Sequence, residues 1–233
     1  MNRSHKNSTR LLNAIAHNNL LEVRELIRQG ADVNQVDMAN DPFTPLMLAI
    51  DMNLTDIVEL LVNAGADLYK STYAEDSPLG LAAIKGNLEI VKLLLQAGAD
   101  PDFGELDAPI YNAITGENLH IFKTLINSNA DVYACCESGT TALMMAAITG
   151  NMEIVEILLE EGANPDAINK YGDIALDKAA HNGHQDVFDY LILLTSASVL
   201  EGREYLEKEL AIGILRKKRK AQKEKNKLIK RTS

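Results

Sequence analysis

Two stretches of this chain are nearly the same line. Gly86–Pro101 reads GNLEIVKLLLQAGADP, and 64 residues later Gly150–Pro165 reads GNMEIVEILLEEGANP. A single closed core has no use for a line written twice, whereas a stack of like units requires it. The same frame runs through most of the sequence. A phrase opens at Thr44 (TPLMLAI), Ser77 (SPLGLAA), Ala108 (APIYNAI), Thr141 (TALMMAA) and Ile174 (IALDKAA), with a degenerate copy at Thr9 (TRLLNAI). A second phrase ends on Gly30, Gly65, Gly98, Asn129 and Gly162. From each opening residue to that closing residue is 21 positions in all five complete cases, while the gap to the next opening is 14, 12, 10, 12 and 12. The first segment is therefore fixed and only the second varies.

The fixed segment has the pattern of two short antiparallel helices. In Ser77–Gly98, Leu79, Ala82 and Ala83 share a helical face, Gly86 interrupts it, and Leu88, Val91, Leu94 and Leu95 restart it. Pro45 and Pro78 each follow a hydroxyl residue, the arrangement of an N-cap and a first helical position. Gly98 and its equivalents stand where a left-handed residue closes a helix, and Asn129 is the next most tolerant residue of that conformation. Paired alanines (Ala82–Ala83, Ala146–Ala147, Ala179–Ala180) allow close helix approach. The variable segments, rich in Asp, Gly, Asn and Pro, read as extended turns.

The period near 33 with its T-P-L-x-x-A, G-N-L-E-I-V-x-L-L and G-A-D-x phrases resembles the ankyrin repeat. The resemblance covers about residues 9–195 as six units, the outer two atypical, at about 9–30, 44–65, 77–98, 108–129, 141–162 and 174–195. It implies an all-α fold, a solenoid of stacked helix-turn-helix units with β-turn fingers. The chain departs from the family where a His usually follows the Leu; here stand Met47, Gly80, Tyr111, Met144 and Asp177. That His helps tie each turn to its neighbours, so less rigid turns are expected. Asn53 and Glu117 replace the inter-helix Gly, which makes the fourth unit the least regular expected.

One such hairpin cannot bury its apolar face alone, so the ends need caps. At the front Arg10, Asn13 and His17 supply polarity. At the back Val187, Phe188, Leu191 and Leu194 want a partner. Ser198 followed by Glu201 has the form of a capping box, which predicts a helix from Ser198 with Val199, Leu206, Leu210 and Ile214 on one face. Residues 196–233 are thus expected to be a C-terminal capping helix with a basic tail.

Composition sharpens the functional reading. Residues 1–194 carry 11 Lys and Arg against 28 Asp and Glu, and residues 195–233 carry 12 against 5. An acidic body bears a basic tail, Arg216, Lys217, Lys218, Arg219 and Lys220 onward. Four readings of that tail stay open: a solvated helix end, a segment against the acidic face of its own chain, a nuclear-import address, or an element that binds nucleic acid or anionic membrane through phosphates. The two cysteines, Cys135 and Cys136, are adjacent and cannot staple distant segments. With no signal-peptide core and no membrane-length apolar run, an intracellular, cytoplasmic location is expected, or a nuclear one if the source is eukaryotic or the protein is host-directed.

No phosphate loop, dinucleotide fingerprint or H-E-x-x-H motif occurs. His181 and His184 flank Gly183 without a third ligand, which reads as turn polarity, and Glu137 beside Cys136 is expected to raise that thiol's pKa. The expectation is a monomeric, non-enzymatic module without cofactor or metal. In the family, finger tips and the exposed side of the first helix form a concave binding surface. The matching positions are Asn40, Asp41, Phe43 and Asp51; Tyr73, Glu75, Asp76 and Lys85; Glu105, Leu106, Asp107, Tyr111 and Asn112; and Glu137, Lys170, Tyr171, Asp173 and Lys178. Phe43, Tyr73, Leu106 and Tyr171 are the candidate anchors, and the acidic surroundings point to a basic protein partner.

Overall fold

The computed structural model describes residues 3–36, 43–70, 77–104, 108–136, 138–201, 203, 205, 206 and 208, with residues 3–8 described by backbone alone. The chain forms two compact units, Met1–Asp131 and Val132–Ser233. Among the described residues there are thirteen helices and no strand, only an isolated antiparallel bridge between Cys135 and Thr141.

The first unit holds four helical hairpins: α1 (Arg3–Ala16) with α2 (Leu20–Arg28), α3 (Pro45–Asp51) with α4 (Thr55–Asn63), α5 (Pro78–Lys85) with α6 (Leu88–Gln96), and α7 (Pro109–Thr115) with α8 (Leu119–Asn127). The odd-numbered helices pack in one row and the even-numbered in a second. The second unit repeats the plan with α9 (Ala142–Thr149) on α10 (Met152–Glu160) and α11 (Ala175–Asn182) on α12 (Gln185–Leu191), followed by the one-turn α13 (Ala197–Leu200).

Local chemistry sets these boundaries. Thr44 Oγ1 accepts from Met47 N at 3.1 Å, Ser77 Oγ from Gly80 N at 2.9 Å and Thr141 Oγ1 from Met144 N at 3.2 Å. Each meets one of the orphan donors of a helix N-terminus. Ile174 has no oxygen to offer; there Asp177 Oδ2 reaches back to Ile174 N at 2.8 Å. The closing residues take left-handed backbone as the spacing requires, Asn129 (φ 63°) included. Inner helices are buried nearly all round, with the alanine pairs Ala82–Ala83, Ala146–Ala147 and Ala179–Ala180 fully enclosed. Outer helices bury one face, as with Ile154, Val155 and Leu158 in α10. Each fully buried Leu or Ile contributes about 1.5–3 kcal/mol over exposure, and a helix pair by itself could not secure that burial.

Four sequence expectations need correction. Thr9, which opens the degenerate first copy, lies inside α1 rather than before it, since that helix runs Arg3–Ala16. The fourth unit is not irregular. Glu117 adopts the left-handed backbone (φ 54°) as Asn18 and Asn53 do, and α7 and α8 match α3 and α4 in length. The helix predicted from Ser198 starts earlier and is interrupted: Ser196 is the N-cap of a single turn and Glu201 its C-cap, while helical backbone returns at Leu206 and Lys208. Asp166 Oδ1 holds Ser196 N at 2.9 Å, which fixes the start, and Gly202 follows the end in sequence. Of the predicted cap face, Leu206 is buried and Val199 half-buried, while Leu210 and Ile214 lie outside the described residues. Finally, α12 ends at Leu191, so Leu194, expected to want cover, remains exposed beside Ile192 and Leu193.

Candidate protein-binding surface

The fingers and inner helices are tied to their neighbours by side chains rather than by the missing histidine. In the first unit Asn34 bridges to the next repeat, Oδ1 accepting from Asp67 N at 2.8 Å and Nδ2 donating to Gly65 O at 3.3 Å. Lys70 Nζ returns a bond to Asn34 O at 2.6 Å. Tyr69 donates its phenol to Gly98 O at 2.9 Å and meets Phe103 edge-on, with ring centroids 5.0 Å apart. Asn118 Nδ2 donates to Ala83 O at 3.1 Å, and Asn87 bonds Asn53. In the second unit His184, at the position equivalent to Asn118, places Nε2 3.0 Å from Ile148 O. Its ring packs so closely on Gly150 that a Cβ there would lie 1.8 Å from Nδ1. The carbonyls of Gly65, Gly98, Ala83 and Ile148 thereby gain partners in a neighbouring repeat.

The finger between α10 and α11 is the most fully specified. Asn169 is buried, and its Oδ1 accepts from Tyr171 N and Asp173 N, both at 2.9 Å. Lys170 N donates to Ser138 O on the preceding finger at 2.9 Å, and Gly172 turns the chain at φ 83°. This frame holds Tyr171 with 77 % of its surface exposed, and Ile168 nearby with 58 %. Asp173 is not free for a partner in the same way, since Lys178 Nζ lies 2.6 Å from its Oδ2.

The remaining expected positions divide. Phe43 is half-buried. Asp51 and Lys85 pair with each other at 2.5 Å between α3 and α5, two of the expected contacts spent on one another. Tyr111 and Asn112 are each only 5 % exposed, because the inner-helix position after the capping phrase points into the packing rather than out of it; the expectation that they face a partner is corrected. Asn40, Asp41, Tyr73, Glu75, Asp76, Glu105, Leu106, Asp107 and Glu137 lie outside the described residues. So do Arg216, Lys217, Lys218, Arg219 and Lys220, and the structure places neither the tips of the first three fingers nor the basic tail. Two features escaped the sequence reading. Tyr69 and Tyr133 occupy the same place, four residues after Gly65 and Asn129, and each phenol reaches a carbonyl near the next helix end, Tyr69 Oη 2.9 Å from Gly98 O and Tyr133 Oη 3.4 Å from Glu161 O; that recurrence was readable. The other is a C-terminal strap, in which Arg203 Nη2 donates to Gly172 O at 2.8 Å and Tyr205 donates its phenol to Asp177 Oδ1 at 2.9 Å.

Chemically this surface offers binding groups. Among the described residues no group of three or more His, Cys, Asp and Glu is placed to hold a metal ion, and no helix is long and apolar enough to cross a membrane. Cys135 is exposed, Cys136 half-buried, and neither forms a disulfide. Burial pushes the Cys136 thiol up, but hydrogen bonds from Ser138 and Thr140 outweigh it and hold the thiol below its ordinary value. The expected rise is corrected accordingly: Ser138 Oγ lies 2.9 Å from Sγ and Thr140 Oγ1 2.8 Å from Ser138 Oγ, a hydroxyl chain that favours the thiolate.

The comparisons agree with this architecture. The family model for ankyrin repeats (3 copies) matches residues 11–105 and 110–200. The human transient receptor potential cation channel subfamily A member 1 is 34 % identical over 120 residues, covering 50 % of this chain and 11 % of the channel. Potassium channel AKT1 of Arabidopsis thaliana is 30 % identical over 203 residues, covering 87 % of this chain and 23 % of the channel. The chain thus spans less than a quarter of the length of either relative. Among solved structures, the ankyrin repeat domain of Bcl-3, a member of the IkappaB protein family, superimposes with a TM-score of 0.69 at 26 % identity, covering 81 % of this chain and 87 % of that one. The chain belongs to the ankyrin repeat family.

Proposed function

We propose that this chain is a non-enzymatic module that binds a protein partner through its fingers and the finger-side of its inner helices. Ankyrin repeats are in general protein–protein interaction modules. The observation that carries the reading here is the finger at Ile168–Asp173. Its backbone is over-determined by Asn169 and the Ser138 carbonyl, yet the side chain it presents, Tyr171, is left in solvent. A rigid aromatic on a fixed turn loses little entropy on binding, which is the property of an anchor. The surplus of carboxylates over residues 1–194 makes a basic partner the better complement, steered by charge before it docks.

The test is capture of the partner from a cell extract by the intact chain, by Tyr171→Ala and by a chain ending at Leu215. The reading expects Tyr171→Ala to weaken capture at least tenfold, with the shortened chain retaining it. Loss on removal of residues 216–233 with no effect of Tyr171→Ala would overturn it in favour of the basic tail as the binding element.

A further inference from the structure

The strap meets the last repeat at the finger carbonyl of Gly172 and at Asp177, and lines one cleft with Asp173 of the finger and Lys178 and His181 of α11. Arg203 spans from the finger carbonyl of Gly172 to Asp177, its Nη2 3.5 Å from Asp177 Oδ2. Tyr205 bonds the other oxygen of the same carboxylate, and Leu206 is buried with 5 % of its surface exposed. Asp177 is itself buried and also caps α11 through Ile174 N, so it is a fixed acceptor and not a flexible surface charge.

Two observations show that the strap fits this seat incompletely. Arg203 Nε is buried without a hydrogen-bond partner, and a buried unpaired donor opposes docking. Among the described residues a half-open cleft of about 560 Å³ lies beside the strap, walled by Ile148, Asp173, Asp177, His181, Tyr205 and Leu206. The cleft leaves room for a segment longer than the strap to extend along Ile148 and His181.

We propose that Arg203, Tyr205 and Leu206 form a built-in competitor seated on the binding face of the last repeat. The partner it competes with is a peptide segment of the same chemistry: a guanidinium, then two residues on an aromatic hydroxyl, then an aliphatic side chain. Such a segment takes the Gly172 carbonyl and the Asp177 carboxylate from the strap and extends into the cleft. The inference rests on the finger and inner-helix surface being the binding surface, and it adds what is recognised there and how access is controlled.

The test uses a fluorescent peptide copying residues 201–208, EGREYLEK, titrated by anisotropy against the full-length chain and its variants. In R203A/Y205A the strap loses both polar anchors, and the peptide is expected to bind at least tenfold more tightly than to the unaltered chain. Tyr205→Phe, which removes one hydrogen bond, falls between the two. Adding Asp177→Asn to R203A/Y205A abolishes the gain. Equal affinity for all chains, or binding to none, overturns the proposal. So does loss of the helical circular dichroism of R203A/Y205A at 25 °C, since the strap would then be a fixed cap. A partner whose capture responds to Tyr171→Ala but not to R203A/Y205A would sink the competitor and leave the binding surface intact.

Discussion

The phenol of Tyr205 donates to Asp177 Oδ1 at 2.9 Å, and Asp177 stands where the family usually has a histidine. The substitution converts a turn-tying position into the acceptor that seats the C-terminal strap. Burial first, and then the hydrogen bond and charge of Asp177, raise the Tyr205 pKa above its ordinary value of 10.0. A raised folded-state pKa on an acid that bonds as the neutral form stabilises below the unfolded value, and that contribution is lost as pH climbs through the folded one. Below pH 10 the wild type should therefore melt above Tyr205→Phe, by about 0.5–1.5 kcal/mol for one hydrogen bond. Above pH 10 the two melting curves should converge. Thermal melts of the pair from pH 8 to pH 11 check this, and a constant gap across that range would contradict the assigned bond.

Gly150 and His184 make a second close pair. A Cβ at Gly150 would lie 1.8 Å from His184 Nδ1, and the backbone there is left-handed at φ 74°. Gly150→Ala should cost about 1 kcal/mol for the backbone alone, with a further about 1–3 kcal/mol from the displaced ring. His184→Ala should cost about 1–3 kcal/mol by leaving the Ile148 carbonyl unpaired. Because His184→Ala also removes the clash, the double variant should be less destabilised than the sum of the singles. Urea denaturation of the four proteins measures the coupling; strict additivity would show that the ring moves aside freely.

Glu117 and Asn53 hold the same left-handed inter-helix position. The steric cost of that backbone is about 1–2 kcal/mol for an ordinary L-residue, whereas Asn tolerates it. Glycine relieves the cost but loses more chain entropy on folding. Glu117→Gly should accordingly stabilise the chain by about 0.5–1 kcal/mol, and Asn53→Gly should change little. Denaturant midpoints of both variants decide it, and a destabilised Glu117→Gly would mean that the glutamate side chain supplies an offsetting contact.

The repeat frame was legible because mutual coverage leaves its mark at every period. Pro45 and Pro78 after hydroxyl caps, Gly98 and Asn129 at helix ends, and Ala146–Ala147 between helices are each forced by packing or backbone geometry. The binding side was less legible for a related reason. Residue type alone does not say which way a short inner helix points, so Tyr111 and Asn112 read as surface groups although packing claims them. Asp51 and Lys85 sit on different units in sequence, and only the stacked register brings them within 2.5 Å. The strap was half visible. Leu206 was expected to dock, but Ser198 and Glu201 imitate a capping box whose real start is dictated by Asp166, 30 residues earlier.

That strap carries the last prediction. Ending the chain at Ser196 removes Leu206 from its buried place, worth about 1.5–3 kcal/mol, together with the Arg203 and Tyr205 bonds to Gly172 and Asp177. It also uncovers α11, one of the inner helices that neighbours otherwise enclose. The melting temperature should fall by several degrees, since a domain of about 200 residues loses roughly 2–4 °C per kcal/mol. The loss should be smaller than the full hydrophobic term, because the unpaired Arg203 Nε is relieved at the same time. Differential scanning calorimetry of the shortened and intact chains measures the difference. An unchanged melt would mean that Leu206 and its neighbours contribute no net stability.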